Sequence, residues 1–183
     1  MVRSTVVRNR GSGIFDTYIY GVSQVLYVSK TPETVLCVGA VVVDGPRVLL
    51  VRQSHGHSLA GQWTIPWGRL EKGESASAAA RREVLEESQI VARVEGLVGV
   101  QELPPPWRGW LALVYLCQHV SGTAAPDGRE TDAAAYFTEA DLLSLAEPID
   151  ILSEWLVRRA LSGRITVIGR DSTNPYHEGI GFI

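Results

Sequence analysis

Residues 35–43 form an almost unbroken apolar run, Asp44-Gly45-Pro46 is a turn signal, and residues 48–51 resume the run. A strand with one face in water alternates polar and apolar residues, so two continuous apolar runs joined by a short hinge describe a hairpin of strands buried on both faces. Such a hairpin commits the chain to a sheet covered on two sides. The covering elements are readable downstream. Residues 75–88 are strong helix formers, and Ala76, Ala80 and Val84 recur at every fourth position, a narrow stripe of small side chains that lets a helix lie close to a sheet. A second helix is predicted to start near Asp150, with Ile151, Leu152, Trp155, Leu156 and Ala160 at helical spacing and Gly163 where a C-terminal cap belongs. Residues 90–100, 111–120 and 133–137 read as strands, and Thr138-Glu139-Ala140-Asp141 as a variant capping box that opens a short helix. Pro104-Pro105-Pro106 is a loop and Pro126-Asp127-Gly128 a turn. The order predicts an α/β class, a mixed sheet between helices.

A chain of 183 residues, 45% hydrophobic and 20% charged, suffices for one well-buried domain with short extensions. The expected division is a domain at 35–163, an N-terminal extension at 1–34 and a C-terminal tail at 164–183. Residues 18–28 read as one or two short strands whose edges need covering, and pairing in a homodimer is one solution. The tail, with residues 165–168 and then Tyr176-His177-Glu178, is a candidate for one more strand. A net charge of -3 without clustered Lys and Arg argues against a nucleic-acid partner. Cys37 and Cys117 each sit in an apolar run, which reads as buried strand thiols in a reducing compartment. The opening MVRSTVVRNRGSG has no apolar signal core, and no stretch approaches the roughly 18 apolar residues that cross a bilayer. The expectation is a cytoplasmic protein without membrane contact.

The segment richest in chemistry is Gly68-Arg69-Leu70-Glu71-Lys72-Gly73-Glu74, followed after seven residues by Arg82-Glu83-Val84-Leu85-Glu86-Glu87 and Ser88-Gln89-Ile90. On a helix Glu83, Glu86 and Glu87 stand at i, i+3 and i+4, which predicts three carboxylates on one face. Like charges so spaced repel by a few tenths of a kcal/mol per pair, and a cation offsets that. Hard oxygen donors suit Mg²⁺ or Mn²⁺. The plainer alternative is a solvated face with an Arg82–Glu86 ion pair of about 0.3–0.5 kcal/mol. Against it stands the upstream loop, where Gly68 and Gly73 permit tight turns and Glu74 precedes the helix N-terminus.

These residues resemble the Nudix box: a Gly, five residues, a Glu, seven residues, Arg-Glu, an aliphatic residue, any residue, Glu-Glu, any residue, a Gly and an aliphatic residue. Gly68, Glu74, Arg82, Glu83, Val84, Glu86, Glu87 and Ile90 match, and Gln89 stands where the family usually has Gly. The resemblance covers about residues 35–160 and implies a Nudix-like α/β/α sandwich. It implies that Glu83, Glu86 and Glu87 bind Mg²⁺ or Mn²⁺ with the carbonyl of Trp67, a position commonly Gly in the family, and that one Glu acts as general base. Arg82 would orient the glutamates by pairing with Glu74, and Glu130 is a candidate further ligand or base. The implied activity is hydrolysis of the pyrophosphate bond in a nucleoside diphosphate linked to another moiety, of the ADP-ribose or nucleotide-sugar type. Pro106, sixteen residues past Ile90, stands near a proline associated with ADP-ribose hydrolases in this family. A nucleoside triphosphate pyrophosphatase is the rival, and a noncatalytic nucleotide-sensing module a third reading. Trp107 and Trp110 are candidates to stack on a base, against ordinary packing. Arg52, His55 and His57 are candidate contacts for the phosphates or the terminal moiety.

Overall fold

The computed structural model describes residues 34–168, so the predicted strands at 18–28 and the segment Tyr176-His177-Glu178 lie outside the described residues. Its elements in chain order are β1 (Val35–Asp44), β2 (Arg47–Gln53), β3 (Trp63–Thr64), β4 (Trp67–Arg69), α1 (Ala76–Ser88), β5 (Val91–Glu102), β6 (Trp110–Ser121), β7 (Thr131–Phe137), α2 (Glu139–Ser144) and α3 (Ile151–Leu161). The strands form one mixed sheet in the order β3-β2-β1-β6-β5, with β4 also on β1 and β7 also on β2. β1 runs parallel to β6 from Val35 opposite Trp110 to Val43 opposite Gln118, while its pairings with β2 and β4 are antiparallel.

The opening hairpin is real but short. Val43 faces Val48 and Asp44 faces Arg47, after which β4 takes the edge of β1 at Cys37, Val38 and Gly39, and β7 runs along β2. Because the two strands part, a loop segment can enter the sheet beside α1. That insertion carries Gly68 to its place.

Alternation along β1 sorts the core into two clusters. Val38, Ala40 and Val42 pack with Ala79, Ala80 and Val84 of α1, whereas Val41 packs with Leu156 and Val157 of α3. The result is an α/β/α sandwich in which each helix closes one face. α1 is capped by Ser75, whose hydroxyl accepts the Ala78 N–H, and α2 carries the reciprocal Thr138–Asp141 capping box. α3 is capped by Asp150 and followed by Gly163 in the left-handed region at φ 66°.

The apolar spacing read in α3 needs one correction. Leu152, Leu156 and Ala160 face the core with Val157, but Ile151 and Trp155 are exposed. The reason is the anchoring of the first turn. Trp63 N–H donates to Pro148 O and Asp150 N–H donates to Trp63 O, each at 2.9 Å, and Ile65 N–H donates to Ser153 Oγ at 3.1 Å. These bonds point Ser153 inward and leave Ile151 and Trp155 on the exposed side of the helix. At the far edge, Ile168 N–H donates to Leu97 O at 2.7 Å, so the start of the tail lies along β5 without becoming a strand.

Candidate active site

Small residues bring α1 close to the sheet, and the same face then carries acids. Glu83 and Glu87, one turn apart, are only 5% and 2% exposed. The space for Glu83 is made by Gly68 of β4: a Cβ there would lie 2.0 Å from Glu83 Oε1. Gly68 is therefore required for close approach, whereas Gly73, at φ 89°, serves a left-handed turn. Glu87 accepts the backbone N–H of Trp67 at 3.1 Å and lies beside the Gln53 side chain. Gln53, which the sequence reading did not single out, is itself nearly buried and donates to Thr64 Oγ1 at 3.1 Å.

Arg82 organises the rest. Its Nη2 and Nε donate to the two carboxylate oxygens of Glu74 at 2.8 and 3.2 Å, its Nη2 also reaches the carbonyl of Arg69 at 3.0 Å, and its Nη1 bridges Glu83 at 2.8 Å and Glu86 at 3.0 Å. A bidentate pair of this kind fixes the guanidinium in orientation as well as position. The three predicted carboxylates consequently do not share one point. Glu83 and Glu87 turn inward, Glu86 is more than half exposed on the Arg82 side, and among the described residues no three acidic, histidine or cysteine side chains close on one centre.

Burial pushes the Glu83 carboxyl up to about 7, with Arg82 opposing and Glu86 and Glu130 adding to the rise. Glu87 is raised well above the ordinary carboxylate range by burial and by the neighbouring Glu83, against the pull of the Trp67 N–H and Gln53. Glu74 is lowered, chiefly by its hydrogen bonds from Arg82. Two buried carboxylates, both with raised proton affinity, are short of positive charge.

A cleft of about 610 Å³ opens over these groups. On its walls the carboxylates of Glu71, Glu83, Glu86, Glu87 and Glu130 outnumber the guanidinium groups of Arg69 and Arg82. Glu130 is delivered by a turn in which Asp127 Oδ1 accepts the N–H groups of Arg129, Glu130 and Thr131 at 2.9–3.0 Å, and Thr131 Oγ1 donates to Glu87 O at 2.9 Å. Trp67, Trp107, Trp110 and His57 also line it, with Trp67 and Trp107 edge to face at 6.3 Å and Arg69 over Trp110 at 4.8 Å. A hard-oxygen donor set with a deficit of positive charge, built around a glycine that a Cβ would fill, fits a divalent cation.

A family model described as the NUDIX domain matches residues 33–156. The chain belongs to the Nudix family. Members of this family are pyrophosphohydrolases that generally use divalent metal ions. The chain is 32% identical over 115 residues to an 8-oxo-dGDP phosphatase of Danio rerio, covering 62% of this chain and 34% of that protein. It is 26% identical over 150 residues to a NAD-capped RNA hydrolase of Pectobacterium carotovorum subsp. carotovorum, covering 82% of this chain and 52% of that protein. It therefore spans about a third to a half of the length of these curated relatives. Among solved structures, a NUDIX hydrolase from Nitrosomonas europaea superposes with a TM-score of 0.60 at 26% identity, over 74% of this chain and 94% of that one.

Within this Nudix domain two predicted residues stand away from the cleft. Arg52 lines neither the acidic cleft nor its neighbouring cavity, because its Nε donates to Asp132 at 2.7 Å and its Nη1 to Glu147 at 3.3 Å, with the guanidinium over the Trp63 ring. It ties β2 to β7 and to the loop before α3. His55 likewise does not line the cleft. Gln89 adopts the left-handed cap that family glycines serve, at φ 58° and ψ 20°.

Proposed function

We propose that this chain is a Mg²⁺- or Mn²⁺-dependent pyrophosphohydrolase that cleaves the pyrophosphate bond of a nucleoside diphosphate linked to another moiety, with ADP-ribose and nucleotide sugars as lead substrates. The observation that carries the reading is the pair of carboxylates, Glu83 and Glu87, buried one turn apart against the glycine cradle of β4. The names of the relatives support the substrate class, since 8-oxo-dGDP and an NAD cap are both nucleoside diphosphate derivatives.

Glu83 and Glu87 would hold the cation, joined by the Trp67 carbonyl and by Glu86 from the cleft rim. When bound, the cation neutralises diphosphate oxygens and makes a coordinated water a stronger nucleophile. Arg82, fixed by Glu74, holds Glu83 in position and is therefore a positioning residue. Glu130, held on the cleft wall beside the Asp127 turn, would be the carboxylate that accepts the proton of the attacking water. Trp107 and Trp110, which line the same cleft, would meet the organic part of the substrate.

The test is hydrolysis of a nucleotide panel with Mg²⁺, scored by product. Release of a nucleoside monophosphate from ADP-ribose or a nucleotide sugar is expected. Pyrophosphate released from nucleoside triphosphates alone would instead assign a triphosphate pyrophosphatase, and inertness toward the whole panel would assign a noncatalytic module.

A further inference from the structure

Gln53 closes β2 on the face of the strand that turns toward α1. Alternation puts Leu49, Val51 and Gln53 on that face, and Leu49 belongs to the core cluster that packs on α1. At the end of this apolar row the chain buries an amide. Gln53 is 5% exposed, and its Nε2 donates at 3.1 Å to Oγ1 of Thr64, which is 1% exposed and stands on β3 opposite Val51. Main-chain bonds pin the residue as well: Gln53 N–H donates to Gln62 O at 3.0 Å, and Gln53 O accepts the Gly61 N–H at 2.8 Å. Backbone and side chain are thus both held at one point of the cleft wall.

Two buried polar side chains bonded only to each other add little to a fold, since hydrocarbons of the same shape can replace both at almost no loss. The amide has more to give than Thr64 takes, because a second N–H and a carbonyl oxygen remain. Its neighbour on the cleft side is the carboxylate of Glu87. Glu87 Oε2 accepts the Trp67 N–H at 3.1 Å, so one fixed donor reaches this carboxylate from β4 while the amide stands beside it from β2. The last torsion of a glutamate is soft and settles in no sharp well on its own. A carboxylate gripped from two sides loses that freedom, and its remaining lone pairs keep one direction.

We propose that Gln53, aimed by Thr64, is a positioning residue that clamps the Glu87 carboxylate in the orientation in which it meets the cation. Thr64 acts through Gln53, and Gln53 acts through Glu87. The clamp deepens the function proposed above and rests on it for the identity of the bound ion.

The test is a pair of shape-preserving substitutions, Gln53→Met and Thr64→Val, made singly and together. Each single variant leaves one buried polar group without its partner, whereas the double variant removes both. If the pair only supports the fold, the double variant regains the parent's Tm and activity together. The clamp predicts that it regains Tm alone. Gln53→Met, with or without Thr64→Val, is expected to weaken Mn²⁺ binding in a calorimetric titration and to lower kcat, each about ten- to a hundredfold, with KM kept within about threefold. Thr64→Ser keeps the hydroxyl and is expected to stay within about threefold of the parent in both readouts. Parent-like Mn²⁺ affinity and kcat in the double variant would overturn the proposal. So would a loss confined to KM, which would make Gln53 a substrate contact. If the parent binds no ion, the catalytic reading fails separately, and the side-chain amide resonances of Gln53 in the metal-free protein still decide. Their shift in both Glu87→Gln and Thr64→Val upholds the clamp, and resonances unmoved by Glu87→Gln reject it.

Discussion

Helices α1 and α3 close opposite faces of the same sheet, yet they bury different things. α3 places Leu156 and Val157 against the strands, with Ser153 bonded at its first turn. α1 buries Ala79, Ala80 and Val84, and with them Glu83, Glu87 and Ser88. Burying a hydrocarbon stabilises a fold, whereas burying an ionised carboxylate costs several kcal/mol unless a partner of opposite charge is near. One face is thus built for cohesion. The other gives up cohesion to hold charge, and Arg82 offsets only part of it.

If the contrast is right, variants in the two helices separate activity from stability. Glu87→Gln is expected to lower kcat at least about a hundredfold, since a group holding a catalytic cation contributes several kcal/mol in the transition state. The metal-free Tm of that variant should hold or rise, because the amide removes a buried charge and its oxygen still accepts from Trp67. Steady-state kinetics beside thermal melts check both halves, and near-normal turnover breaks the comparison.

Leu156→Ala should show the reverse pattern. A loss of about 2–5 kcal/mol of stability is expected from the cavity it opens, with the response to Mg²⁺ retained. Denaturant titration with and without the ion measures it.

The third expectation concerns pH. Glu83 takes up its proton at about 7 in the folded chain against 4.5 for an ordinary glutamate, so between those values the native state binds more protons than the unfolded one. Stability of the metal-free protein therefore falls as pH rises from about 4.5 to 7, by a few kcal/mol at most. Melts across that range should flatten in Glu83→Gln, and a slope unchanged by that substitution would remove Glu83 from the account.

The smallest effect is expected at the C-terminus of α1. Gln89→Gly relieves a left-handed backbone and should gain about 1 kcal/mol or less, reduced by loss of the Gln89 Nε2 bond to Pro126 O.

Much of this was legible in the chain because local rules governed it. The apolar runs around Asp44-Gly45-Pro46, the Thr138 capping box and Asp150 at the start of α3 all sit where spacing placed them. The helical spacing of Glu83, Glu86 and Glu87 was also readable, but which of them turn inward was not, since that depends on β4 entering the sheet and on Arg82 bridging Glu83 and Glu86. The pairing of Arg52 was hidden for a similar reason. Its partners Asp132 and Glu147 are distant in sequence and meet it only through the pairing of β2 with β7. Gln53 gave a weak signal, a polar residue ending an apolar strand, and Ile151 and Trp155 looked like core because spacing reports a face without saying what covers it.

The central claim is that the buried acids of α1 hold a divalent ion. Calorimetric titration of Mn²⁺ into the full chain, beside Glu83→Gln and Glu87→Gln, tests it most directly. Saturable binding by the parent chain that each variant weakens at least about tenfold is predicted, as for loss of a charged ligand. Binding of equal strength in all three proteins, or none in the parent, would contradict it.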